Sequence, residues 1–61
     1  MFKYLFSINR KYSKECLAYV EINATSPEII YPSNEQYKRI YEQTGIRVDG
    51  DENWVEWIRI N

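Results

Sequence analysis

The chain has no histidine, a single cysteine, two glycines, two prolines and no charge excess worth the name, with eight basic residues against nine acidic ones. Each shortage excludes something. Without histidine, the commonest general base at neutral pH is missing, together with the usual partner of a serine or cysteine nucleophile. The imidazole ligands of most zinc sites are missing too. With Cys16 alone, no disulfide can staple the fold from within. A free thiol agrees with a reducing compartment, and its place in an alternating segment predicts a small buried hydrophobe. With only Gly45 and Gly50, a glycine-rich phosphate loop has no material. A formal net charge of −1 supplies no field that would draw in a polyanion. No apolar run approaches the ~20 residues that span a bilayer. The opening MFKYLFSIN alternates with polar residues where a signal peptide would continue as an apolar block. The expectation is a cytoplasmic, non-enzymatic protein with no cofactor, no metal and no membrane.

One motif comes close to a metal site and then departs from it. Asp49, Asp51 and Asn53 match the opening spacing of a calcium loop, but Trp54 stands where that loop needs glycine and Ile60 where it needs a bidentate glutamate. Asp49 to Asn53 is therefore read as a turn, with Asp49-Gly50 as its turn signal.

What the chain has in quantity is aromatic residues: six Tyr, two Trp and two Phe among 61 residues. A single domain of this size buries only about 60 % of the surface its unfolded chain exposes, so it depends on dense packing or on association. Tyrosine and tryptophan serve both, because each joins a large apolar body to a polar handle. The charges are segregated along the chain. Lys3, Arg10, Lys11 and Lys14 precede the first acid, Glu15, whereas Asp49, Asp51, Glu52 and Glu56 crowd the end.

The segment Ser33 to Ile46 carries a start signal, a period and a stop signal. Ser33 and Gln36 form a capping box; Tyr37, Ile40, Tyr41 and Thr44 recur on one helical face; Gly45 ends the helix, with Ile46 expected to fold back on Tyr41 in a Schellman motif. Before it, Phe2 to Asn9 alternates with Phe2, Tyr4, Phe6 and Ile8 on one side. Cys16 to Asn23 alternates with Cys16, Ala18, Val20 and Ile22 together and Leu17, Tyr19, Glu21 and Asn23 opposite. The polar stretch Asn9 to Lys14 joins the two as a hairpin. Pro27 and Pro32 keep Ala24 to Pro32 out of a central strand and leave it an extended lead-in that tucks Ile29 or Ile30 under the helix. Trp54 to Ile60 reads as the last strand, apolar on both faces.

These elements predict a single α+β domain over residues 1–61: a small three- to four-stranded antiparallel sheet, built from a hairpin, a helix and a C-terminal strand, with the helix packed on one face. One helix covers one face. The other is expected to show Leu5, Leu17, Tyr19, Val55 and Trp57 to solvent, and an apolar cluster of that kind marks an interaction site. Partner-binding residues are accordingly expected at Leu17, Tyr19, Val55 and Trp57, with the acidic turn Asp49, Asp51 and Glu52 beside them. The short length and the abundance of Tyr, Ile, Asn, Lys and Glu resemble products of AT-rich bacterial phages and mobile elements. That resemblance implies an inhibitor that occludes a host protein, host defence proteins included, with homodimerisation as a further expectation. Two other readings compete. One is a nucleic-acid-binding regulator that stacks bases on Tyr4 or Tyr19 beside Lys3, Arg10, Lys11 and Lys14. The other is a dimer that sequesters a small ligand.

Overall fold

The computed structural model describes residues 1–48 and 51–61. It contains β1 (Phe2–Arg10), β2 (Cys16–Ala24), α1 (Asn34–Thr44) and β3 (Asn53–Arg59). The strands form one antiparallel sheet in the order β2-β1-β3, the α+β arrangement expected, with β1 central and β3 at an edge. β2 and β3 therefore run parallel to each other with β1 between them.

The sheet takes its shape from alternation. Tyr4, Phe6 and Ile8 are buried on β1, Val20 and Ile22 on β2, Val55 on β3 and Ile40 on α1. Cross-strand pairing stacks them in rows: Phe6 opposite Val20 and Trp57, Ile8 opposite Ala18 and Val55. Burying each such side chain contributes about 1.5–3 kcal/mol. The ring of Phe6 lies 6.1 Å from that of Trp57 and 6.5 Å from that of Tyr4.

The helix begins where its capping residues place it. Ser33 Oγ accepts from the Gln36 N–H at 3.2 Å, and Gln36 Oε1 accepts from the Ser33 N–H at 2.8 Å. A cap of this kind contributes about 1 kcal/mol. Gly45 ends the helix at φ 73°, its N–H bonded to the Tyr41 carbonyl at 2.7 Å. The stop is the simpler left-handed motif, not the Schellman motif expected, because Thr44 Oγ1 takes the Ile46 N–H at 3.1 Å and leaves it no free donor for the helix. Ile46 turns to the core.

The lead-in to α1 closes the covered face on the β3 side. Ile29 packs on the core while Ile30 is exposed. Three side chains rising from the sheet fasten the backbone here. Tyr4 Oη donates to the Ser26 carbonyl at 2.7 Å, Trp57 Nε1 to the Ile29 carbonyl at 3.0 Å, and Arg59 Nη1 to the Pro27 carbonyl at 3.2 Å. The polar tips of the aromatics thus satisfy carbonyls of a segment that has no ladder of its own.

The hairpin turns through a four-residue loop, with the Arg10 N–H on the Glu15 carbonyl at 2.7 Å and the Lys14 N–H on the Arg10 carbonyl at 2.9 Å. Lys14 takes φ 57°, a left-handed position the loop imposes on a residue with a Cβ. Just beyond it the register slips: Ile8 faces Ala18 but Asn9 faces Cys16, so Leu17 is the extra residue of a bulge.

Candidate functional site

The bulge and the register of β3 decide which side chains reach the open face. A bulge shifts the alternation by one, so Cys16 leaves the side of Ala18 and Val20 and stands exposed on the outer face. The expectation of a buried thiol is corrected. Leu17 is swung the other way and packs against the core, so it does not belong to the outer face either. On β3, Val55 pairs with Ile8 and Trp57 with Phe6, and both are therefore on the covered face. Val55 is only 9 % exposed, and Trp57 is half-buried on the Phe6 ring. Val55 and Trp57 share a face as predicted, but it is the inner one, so they are parted from Leu5 and Tyr19.

The open face consists instead of three rows across the sheet. Glu21, Leu5 and Ile58 form one, Tyr19, Ser7 and Glu56 the next, and Cys16, Asn9 and Trp54 the row nearest the hairpin. Tyr19 is 66 % exposed and Ile58 62 %. Trp54 Nε1 donates to Glu56 Oε1 at 3.1 Å, which orients the indole along its strand. Lys3 Nζ lies 4.0 Å from Glu21 Oε2, an exposed pair that contributes at most about 1 kcal/mol. Hydrogen bonding with the neighbouring Cys16 side chain, and then its charge, raise the Tyr19 hydroxyl above the ordinary tyrosine pKa of 10.0. Neither the helix nor the segment Ile29 to Tyr31 crosses this face, since Ile29 and Ile40 both lie on the other.

Sequence reasoning missed Trp54 and Ile58 as members of the face. The signal that points to them is Glu56, a short carboxylate in the middle of β3, whereas the charge on the other side, Arg59, stands at the strand's end on a long stem that can reach the surface. An unpaired buried charge is too costly, so the side carrying Glu56 must be the wet one.

Of the acidic turn, Asp51 and Glu52 are exposed, and Asp49 lies outside the described residues. The turn meets the hairpin tip, where the Lys11 N–H donates to the Glu52 carbonyl at 2.7 Å. The basic and acidic ends of the chain are therefore neighbours in space. Arg10 and Glu15 sit 3.9 Å apart in the same region. Of the two tyrosines proposed to stack bases, Tyr4 is 2 % exposed with its hydroxyl bonded inside, which removes it from that set.

Among the described residues no helix is long and apolar enough to cross a membrane. Compared with protein-family models, curated proteins and solved structures, the chain has no match in any of the three.

Proposed function

We propose that the protein is a non-catalytic binding module that occludes a surface of a partner protein with the open face of its sheet. Tyr19 is the main anchor, with Leu5, Ile58 and Trp54 extending across the sheet from it, while Glu21 and Glu56 favour a partner that brings basic residues. The observation that carries this reading is the unroofed row structure: large apolar side chains held on rigid strands, next to carboxylates, on the side opposite the core. Interfaces draw most of their affinity from a few such aromatic anchors, and a strand-borne tyrosine loses little entropy on docking. Asp51 and Glu52 extend the acidic rim beyond the hairpin end. The resemblance of its residue usage to products of bacterial phages and mobile elements supports, as the partner in this reading, a host protein of the cytoplasm, defence proteins included.

The test is retention of a host protein from bacterial lysate on the immobilised wild type and on two face variants, Tyr19→Ala and Leu5→Lys, each shown to be folded by circular dichroism. A protein held by the wild type and lost from both variants is expected; equal retention by folded variants would remove the face from the function. Replacing Asp51 and Glu52 by Asn and Gln is expected to weaken capture more at low salt than at high salt. A mobility-shift series on single-stranded RNA and DNA at two salt concentrations separates the nucleic-acid reading, which requires a shift that salt abolishes.

A further inference from the structure

Among the described residues the sheet has two open edges, and one hydrogen bond reveals what each presents. The Ile60 N–H donates to the Lys3 carbonyl at 2.9 Å. In an antiparallel ladder, bonded pairs alternate with non-bonded ones. With Lys3 and Ile60 a bonded pair, Leu5 with Ile58, Ser7 with Glu56 and Asn9 with Trp54 are bonded as well. Val55, Trp57 and Arg59 then turn their amides and carbonyls away from β1, to the open edge of β3. The same parity sends the amides of Tyr4, Phe6 and Ile8 toward β2 and leaves Tyr19, Glu21 and Asn23 at the other edge.

The two edges are not equivalent. β2 is bent by the bulge at Leu17, and the crevice at its far end mixes the charged Glu28, Glu35 and Arg39 with Ile22, Ile29 and Ile30. Bulges and charges of this kind are what protects an edge from pairing. β3 is seven residues long and pairs with β1 in continuous register, without a bulge. Beside it runs a groove of about 400 Å³ walled by Tyr31, Pro32, Tyr37, Val48, Val55 and Trp57.

We infer that a second copy of this chain pairs along β3, edge to edge and antiparallel, about a two-fold axis at Trp57. This is the one two-fold register that pairs the three outward residues with one another: Trp57 meets its own copy and Val55 meets Arg59. On the open face it sets Trp54 beside Ile60 and Glu56 beside Ile58, so that the exposed side chains of the two copies continue one another across the edge. Centring the axis on Glu56 would oppose two carboxylates at the closest spacing in a ladder, about 4.5 Å between Cα atoms, which is destabilising. Centring it on Val55 would drive the partner strand into the start of β3, where Asn53 Nδ2 is bonded to the Arg47 carbonyl at 3.1 Å and the 47–48 segment lies alongside. The charge pattern and the shape of the edge thus disfavour those two registers, and the axis at Trp57 is kept because it engages all three outward residues. It uses an edge, not the open face, so it stands apart from the occlusion reading and joins two such faces into one.

The experiment is light scattering on synthetic protein assembled by ligation at Cys16, with a backbone N-methyl group placed at Trp57 or at Tyr19. An N-methyl group removes an outward donor and blocks strand addition while keeping the side chain. Wild type and the Tyr19 derivative are expected at twice the 7.4 kDa chain mass. The Trp57 derivative is expected as a folded monomer. A backbone N-methyl group at Arg59, which removes a second outward N–H and keeps the side chain's bond to the Pro27 carbonyl, is expected to give the same monomer and serves if the Trp57 derivative does not fold. A wild type that stays monomeric up to millimolar concentration overturns the inference. So does a dimer that survives both β3 changes.

Discussion

Tyr4 and Tyr19 stand on opposite faces of neighbouring strands, and Trp57 and Trp54 do the same on β3. The inner tyrosine is 2 % exposed and the outer one 66 %. The inner pair uses its polar tips to hold the lead-in segment, through the carbonyls of Ser26 and Ile29. The polar tips of the outer pair meet near neighbours in the sequence, Trp54 Nε1 at Glu56 and the Tyr19 hydroxyl at Cys16. The same residue types therefore do structural work on one face and remain available on the other. What separates them is whether a carbonyl of another segment lies within reach of the ring's polar atom.

The contrast breaks most visibly with large truncations. Phe6→Ala, at a fully buried site, is expected to cost about 3–5 kcal/mol, enough to unfold a chain this small, whereas Leu5→Ala on the opposite face costs below ~1 kcal/mol. Urea titrations of the two variants check this, and equal costs would show that the outer face is packed against something. A subtler pair removes single hydroxyls. Tyr4→Phe forfeits the bond to Ser26 and is expected to cost about 1 kcal/mol, while Tyr19→Phe changes stability by no more than about 0.5 kcal/mol. Comparable losses would mean that Tyr19 has a partner in the fold.

The smallest effect is spectroscopic. Cys16 holds the Tyr19 proton more firmly than solvent does, so the Tyr19 phenol ionises above pH 10.0 in the folded protein. A folded pKa above the unfolded one means that whatever this contact contributes to stability is complete below pH 10.0 and fades as the pH rises through the folded value. Ultraviolet titration of the tyrosines is expected to show one late component that moves toward the ordinary range in Cys16→Ala. If that variant leaves the titration unchanged, the two side chains are not neighbours on the open face.

How far the site was legible follows from where the information resides. The alternation of Phe2 to Asn9 and of Cys16 to Asn23 identified the buried Tyr4, Phe6, Ile8, Val20 and Ile22 and the exposed Tyr19 directly. Grouping Val55 with Trp57 was also right, but a period of two says which residues share a face and nothing about which face is covered. Charge alone divides over β3, with Glu56 on one side and Arg59 on the other, and only the central position and short stem of Glu56 favoured its side as the wet one. Cys16 and Leu17 were illegible for a different reason. A bulge flips the alternation after a single extra residue, and the residue it adds carries no distinctive side chain.

Local chemistry alone therefore determined the helix limits, because Ser33, Gln36 and Gly45 act on amides within one turn of themselves. It likewise determined the hairpin, whose strands are separated by one short polar loop. The tertiary structure decided the strand order, the inward turn of Val55 and Trp57, and the seating of Ile29 on the same face as the helix. Those outcomes depend on contacts between residues far apart in the chain, where β3 must find the free side of β1 and the carbonyls of 26–29 must find Tyr4, Trp57 and Arg59. No periodicity records such a meeting. The open face, and with it the proposed function, is what remained once that packing was complete.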